Sequence, residues 1–494
     1  VARVSFRGAF RILLTASVVC AGALTPAAAY AQRAPAVVRA QSLRDAGDLR
    51  QAVQVLRKHL AAHPEDGDAA RLLAQTLYWL KDLDAARREY EDALRRHPDD
   101  TTLRVQYARM LVETGSFPRA TEVLAVLPEN PGARSDAETI LGLIAYWQND
   151  RSTARRRFSE ALELNPSNRE ARQHLAEIGD ATAPWIGASA SVWHDDQPLD
   201  HADFGIEAGW FPSPDTSVAI RAAPARFQTD VSTTTISTIG AAMKSYVPSA
   251  RTDVELAFGA STGAAVSADT RNWTGLAGAA IHASSGIRVG GRVSRTRYLY
   301  TAASADTPVM VNAASGYIRL DRAGWLGEAN VERQQYPDDN SIRTAYAWLL
   351  APIARRPLGL AQIGYAISSS TAAQSRFTLR NALHGAYVPY YTPDDVVTQS
   401  VAVAVSAGSS RASFHGSASY GFKAHDNEPS FALVNRVATR LTAPRSFTPW
   451  TARASLSIAA GRATIEPAVE AGKTVFYSWT TAGLDVRWRM RKQQ

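Results

Sequence analysis

A step of 34 residues recurs through the N-terminal third of the chain. Ala52, Ala86, Ala120 and Ala154 keep it, and so do Ala40, Ala74, Ala108, Gly142 and Ala176. A bulkier position repeats in the same register as Leu56, Tyr90, Leu124 and Phe158. A period of this length is that of a stacked helix–turn–helix unit, which cannot bury its apolar face alone. Small residues belong where two antiparallel helices cross closely, and the bulkier side chain fills the space between units. Pro64, Pro98, Pro131 and Pro166 close the units, because proline lacks an N–H and clashes with the preceding turn. Gly47 and Gly115 fall at the turn inside a unit, and Lys81 and Asn149 replace glycine at the equivalent places. Residues 35–180 therefore read as four repeats plus a capping helix, Arg169 to Ile178. Such arrays are scaffolds with a concave face, and catalysis is not expected from them.

The text changes after Ala183. Leu, Arg, Glu and Ala give way to Ser, Thr, Gly, Val and aromatics, and nine of the 11 tryptophans lie beyond Pro184. Segments of roughly ten residues alternate apolar with polar or small, the period of a strand. Phe204, Ile206, Ala208 and Trp210 alternate with Asp203, Gly205, Glu207 and Gly209. Val254, Leu256 and Phe258, then Trp325, Ala329 and Val331, then Val401, Val403 and Val405 continue the pattern. A soluble sandwich would put that apolar face inward, and a membrane barrel would put it outward around a polar lumen. Many strands carry full charges on the polar face, and burying them in a dry core would be costly. Aromatics near strand ends (Trp193, Trp210, Phe211, Tyr298, Tyr300, Trp450, Trp479) read as interfacial girdles. Only a closed barrel leaves no unpaired backbone in lipid. Residues 184–494 are thus expected to form an antiparallel transmembrane β-barrel. At about 20 residues per strand and connection this gives ~16 strands. The fold class is α+β multidomain, an α-solenoid followed by the barrel. The stretch Arg376 to Asp395 breaks the alternation and reads as a long external or inward-folded loop.

The first segment supports export. Arg3, Arg7 and Arg11 precede the apolar run Ile12 to Leu24, and Ala29-Tyr30-Ala31 fits a cleavage site, so residues 1–31 read as a signal peptide. Cys20, the one cysteine, lies inside that run behind Val19, which does not fit a lipoprotein signal. A mature protein without disulfides follows. The formal charge of +8 partly belongs to this segment, and no basic and aromatic cluster marks a nucleic-acid module, so no nucleic-acid partner is expected.

Candidate functional residues fall in two groups. The polar strand face offers Arg221, Arg288, Arg292, Arg343, Arg436, Arg440, Arg453 and Arg487 beside Glu207, Glu255, Glu328, Glu332, Glu466, Glu470 and Asp485, with His415 among serines. Both signs together make a polar channel without one dominant field, suited to a neutral, hydroxyl-rich polymer. Salt-bridge networks that only hold the barrel's shape are the competing reading. In the repeats, Tyr78-Trp79 and Tyr146-Trp147 occupy equivalent positions two units apart. They read either as an aromatic platform for a sugar or peptide chain or as inter-repeat packing, the commoner role. His415 with its serines lacks a third partner at known geometry, so an enzyme is not expected. His194-Asp195-Asp196 and His201-Ala202-Asp203 flank a turn and read as solvated loop charge, so neither metal nor cofactor is expected.

The segment Pro389-Tyr390-Tyr391-Thr392-Pro393-Asp394-Asp395 resembles the Tyr-Phe-Ser-Pro-Gln motif of the cellulose-secretion barrel. Tyr391 and Thr392 stand for Phe and Ser there, Asp394 stands for Gln, and the strand Val396 to Ser406 follows. Taken with the 34-residue units, which are similar to tetratricopeptide repeats, the chain resembles the outer-membrane exopolysaccharide export proteins. Cellulose synthase operon protein C and the poly-N-acetylglucosamine porin are of that class. The resemblance implies passive export of a nascent polysaccharide through a barrel in outer-membrane lipid. Periplasmic repeats would bind polymer or inner-membrane synthase components, and Tyr390, Tyr391, Thr392 and Pro393 would be motif residues. A repeat adaptor that recruits envelope proteins, with the barrel as mere anchor, is the alternative.

Overall fold

The computed structural model describes residues 34–490 except 127, 264–271, 285 and 410. The expected signal segment lies outside the described residues. The chain divides into two compact units, 1–177 and 178–494.

Four helix pairs and a closing helix account for the repeats: α1 (Pro35–Asp45), α2 (Leu49–Ala62), α3 (Gly67–Trp79), α4 (Leu83–Arg96), α5 (Thr101–Glu113), α6 (Phe117–Val123), α7 (Pro131–Trp147), α8 (Arg151–Leu164) and α9 (Arg169–Ala181). The small positions Ala52, Ala86, Ala120 and Ala154 are fully buried, and so are Leu56, Tyr90, Leu124 and Phe158 beside them. At Gly142 the packing leaves no room for a methyl group, since a Cβ would lie 2.6 Å from the Phe158 ring. Gly47, Lys81, Gly115 and Asn149 all take left-handed φ, between 65° and 84°. Lysine and asparagine thus accept the strain that the turn imposes. Two expectations need correction. Ala176 is exposed, because no further helix covers that face of α9. Pro131 opens α7 at its first turn instead of ending α6.

A second periodic signal was hidden in the turns. Asp48, Asp66, Asp82, Asp100, Asn130 and Asp150 each cap a helix by accepting a bond from a first-turn N–H. Asn168 bonds the N–H of Ala171 in the same way. Each such cap contributes about 1 kcal/mol.

The second unit is a closed 16-stranded antiparallel barrel. Its wall runs β1 (Trp185–Asp195), β2 (Leu199–Ser213), β3 (Thr216–Thr229), β4 (Thr233–Val247), β5 (Thr252–Gly263), β6 (Trp273–Ser284), β7 (Ile287–Tyr298), β8 (Val309–Arg322), β9 (Trp325–Gln335), β10 (Ser341–Arg356) and β11 (Gly359–Ala372). After a short helix α10 (Ala302–Asp306) between β7 and β8, and a small hairpin β12 (Phe377–Asn381) and β13 (His384–Tyr387), come β14 (Val396–Gly408), β15 (Ala412–Val434), β16 (Val437–Phe447), β17 (Trp450–Ala460), β18 (Ala463–Lys473) and β19 (Ser478–Arg489). β1 and β19 close the cylinder with Trp185 opposite Arg489 and Asp195 opposite Trp479. Sixteen strands tilted near 40° give a backbone diameter of ~30 Å.

β15 is longer than the wall is tall. Its first part pairs with β17, and its second part, from Ala424, pairs with β16 up to the turn at Asn435 and Arg436. Both turn residues have positive φ, the geometry that matches strand twist in a two-residue hairpin. β16 therefore stands outside the wall count, as half of a ribbon that rises above one rim. Connections at the opposite rim, such as 214–215, 323–324, 357–358 and 461–462, are tight turns. The ribbon's rim carries the long ones, 299–308, 336–340 and 373–395. The first end is the turn rim and the second is the loop rim.

Candidate functional site

Alternate residues of each strand face opposite ways, and the loops reveal which way is in. Ala305 of α10 packs on Phe227 of β3 and Ile236 of β4, four strands away around the wall. Tyr390 packs on Val311 of β8 and Ile342 of β10. Connections from separate strands can meet only inside the cylinder, so the faces that hold them are inward. The other face carries Ile206, Phe258, Ile281, Val293, Val331, Leu349 and Val403, all large, apolar and exposed.

Arg221, Arg288, Arg292, Glu328, Glu332, His415, Arg453 and Arg487 lie on the inward face by register. Arg292, Glu328, Arg453 and Arg487 are in ion pairs. Arg487 bonds Glu207 at 3.0 Å, and the Trp185 Nε1–H donates to the same carboxylate at 3.1 Å. Arg292 and Lys244 share Glu255 at 3.2 and 3.3 Å. Arg319 pairs with Glu328, which also accepts from Tyr346 at 2.6 Å. Arg453 approaches Glu470 at 3.9 Å, and Arg221 donates to Ser189 at 2.8 Å. His415 faces Ser406 and Ser455 across its two neighbouring strands.

Three expected lumen residues lie elsewhere. Arg343 is opposite Arg333 and Thr371 and shares the face of Leu349, so it points outward. A charge that falls on the apolar parity near a strand end breaks the simple rule that charged means inward. Arg436 sits in the hairpin turn at the tip of the ribbon, and Arg440 lies on the ribbon itself, because β15 outruns the wall. The girdle is redistributed too. Trp210 and Trp450 face outward with Trp273, Trp325 and Trp488. Trp193, Tyr298 and Trp479 face inward by register.

Those inward aromatics line the loop-rim mouth. Trp193 stacks on Trp479 at 5.8 Å and on His201 at 5.5 Å, with Tyr477 beside them at 6.2 Å. The segment 373–395 crosses the opening. Tyr390 is fully buried and stacks on Tyr336 at 3.7 Å, and its hydroxyl donates to Asp338 at 2.8 Å. The N–H of Tyr391 donates to the Tyr298 hydroxyl at 3.3 Å, while its ring stacks on Phe476, from the β18–β19 connection, at 5.0 Å. Contacts therefore run from β7 to β18, half the circumference apart. The motif supplies the fasteners. Thr392 Oγ1 accepts from the Arg376 N–H at 3.0 Å, the Pro393 carbonyl from the Ala372 N–H at 2.9 Å, and the Pro389 carbonyl from Thr301 Oγ1 at 2.6 Å. Asp338 also bonds Arg376 at 2.5 Å. Partial burial pushes the Asp338 carboxyl up, but the bonds from Arg376, Tyr390 and the Asn340 N–H outweigh it and hold the group below the usual carboxylate range.

In the repeats, Trp79 and Trp147 are 45% and 48% exposed, so neither ring is core. Arg44 lies over Trp79 at 4.7 Å, and Phe117 stands 6.0 Å from Trp147. The adjacent tyrosines are half-buried and reach the next unit, Tyr78 to Glu113 and Tyr146 to Glu177. Arg109 forks onto both oxygens of Glu170 at 3.1 and 2.9 Å. Sequence reasoning missed this long-range pair and the mouth aromatics Tyr336, Tyr387 and Phe476. None carries a periodic signal, because loops have none.

The residues define a class of molecule, a tetratricopeptide-type array joined in one chain to a wide barrel with an aromatic-closed mouth. Residues 37–100 and 80–144 each match a tetratricopeptide-repeat family model. No match was found among curated proteins. Among solved structures the chain is similar to one described as a bacterial polysaccharide outer membrane secretin, at 11% identity and a TM-score of 0.46, over 63% of this chain and 99% of that one. It is similar to PilF of Pseudomonas aeruginosa at 24% identity and a TM-score of 0.28, over 29% and 65%. CdiB from Acinetobacter baumannii gives 9% identity and a TM-score of 0.37, over 62% and 60%.

Proposed function

We propose that this chain is an outer-membrane channel for export of a neutral, hydroxyl-rich polysaccharide, with its repeats acting in the periplasm as a scaffold for polymer or synthase partners. One observation carries the reading: inward charges of both signs are interspersed, several of them in ion pairs, and the lumen ends in a mouth of tyrosine and tryptophan faces. A lumen without a net field neither traps ions nor steers them. Flat aromatic rings give a sugar chain apolar contact while its hydroxyls bond the polar wall. Trp79 and Trp147 offer the same kind of surface in the array. The segment 376–391 acts as a lid, and the cellulose-type motif beside it supplies the lid's fasteners.

A closed mouth also favours the second reading, in which the barrel only anchors an adaptor. Planar-bilayer conductance separates the two. Wild type should show small, brief openings, and deletion of 376–391 should give large, steady channels that linear neutral oligosaccharides block. A barrel that stays shut after the deletion would leave the anchor reading standing.

A further inference from the structure

The outward face near the loop rim carries a cationic belt. Arg226 of β3, Arg295 and Arg297 of β7, Arg333 of β9, Arg343 of β10, Lys423 of β15 and Lys473 of β18 all share parity with the exposed apolar stripe. Each lies in the last turns of wall before the loops. Among the described residues, Asp200 is the only wall acid on this face, and it is taken by His194 at 2.6 Å. Arg226, Arg333, Arg343, Lys423 and Lys473 form no ion pair among the described residues, and all five are exposed.

The densest part spans β7 to β10. Arg333 and Arg343 are direct cross-strand partners. Like charges placed so oppose each other unless an anion lies between them. The inward face has its own such pair, Arg288 opposite Arg319, but there Glu328 bonds Arg319. Outside, no acid among the described residues plays the part of Glu328. Arg295 is two strands from Arg333, on β7, over the Trp273 ring at 4.8 Å and bonded to Asn312 at 3.2 Å. Nε and Nη1 of Arg297 are buried without a hydrogen-bond partner. Below the patch the wall is Val293, Ala314, Val331 and Ala345, a smooth apolar surface.

We infer that this patch is a docking surface for phosphorylated glycolipid. Guanidinium forks bind phosphate oxygens in pairs, which makes arginine the fitting cation here. Three strand spacings, ~15 Å, separate β7 from β10, wide enough for a disaccharide head with more than one phosphate. Acyl chains then lie on the apolar wall below. The turn rim carries outward Arg322 and Arg356 at strand ends but, among the described residues, no facing arginine pair. The inference rests on the proposed bilayer-facing role of the outward face and adds the leaflet and the lipid.

The full chain in neutral detergent, analysed by native mass spectrometry, tests it. The probes are an acylated disaccharide bisphosphate, its dephosphorylated counterpart and inorganic phosphate. Wild type should retain the bisphosphate at least about tenfold better than the dephosphorylated lipid. Arg333→Gln with Arg343→Gln should erase that preference, and Arg322→Gln should keep it. Should the double variant fail to fold, Arg333→Lys with Arg343→Lys keeps the charge, loses the forks and should show a weakened preference. Equal retention of both lipids by wild type overturns the inference, and so does displacement of the lipid by inorganic phosphate, which marks a free-anion site. Insertion into phosphatidylcholine vesicles is measured in parallel. A chain that inserts but shows no preference defeats this inference alone; one that enters no bilayer defeats the channel reading as well.

Discussion

Leu56 in the repeat array and Val331 in the barrel wall are both aliphatic residues on regular elements, yet one is fully buried and the other is 62% exposed. The array puts its oily residues inside and its arginines outside, as a water-soluble fold must. The wall inverts this, with Ile, Val and Phe outward and Glu207, Glu255, Arg292 and Arg487 inward. One chain therefore holds two rules for the same side chains, and the solvent facing each region sets the rule. In the array, apolar burial drives packing. In the wall, strand hydrogen bonds and closure hold the shape, and on the proposed reading the apolar residues match lipid outside.

Three changes test the contrast, in falling order of effect. Phe158→Ala opens a cavity against Gly142 and should cost ~3–5 kcal/mol in array stability, read by thermal unfolding of the helical signal. An unchanged melting curve would mean that the unit interface is not packed as described. Val331→Arg should destabilise the vesicle-inserted barrel by ~2–4 kcal/mol in urea titrations, whereas arginine at the neighbouring inward Glu332 should cost far less. Equal costs at 331 and 332 would remove the inversion. Tyr390→Ala removes the stack on Tyr336 and the bond to Asp338, and should raise open time in single-channel records several-fold. Acid should mimic it. Because the folded Asp338 value is depressed, its contribution to closing the lid is complete above the unfolded value, ~4, and is lost as pH falls through the lower folded value. Openings should be constant from pH 8 to 5 and increase only below about 4. A transition near neutrality would point to another group.

Much of this was legible in the sequence, for physical reasons that differ by region. The 34-residue step fixed helix pairs, because Ala86 and Tyr90 recur wherever neighbouring helices meet. Strand alternation showed which residues share a face, since parity survives any error in strand ends. Parity failed where length mattered. Nothing in the run from Ala412 to Val434 marks where the wall stops and the ribbon starts, so alternation alone cannot separate Arg436 and Arg440 from lumen residues. The rule that charge means inward puts Arg343 in the lumen, but it shares parity with the outward Leu349. The break in alternation from Arg376 to Asp395 marks a loop, and the motif at Tyr390 lies within it. Its partners Tyr298, Tyr336 and Phe476 come from three separate places in the chain, and only the closed fold brings them together.

The inversion itself is open to direct measurement. With Cys20 replaced by serine, single cysteines placed in turn at positions 327 to 332 of β9 can be probed in vesicles with a water-soluble thiol reagent and a lipid-borne quencher. The account predicts strict alternation, with 328, 330 and 332 reacting from water and 327, 329 and 331 quenched from lipid. Water reactivity at every position, or quenching at none, would contradict it.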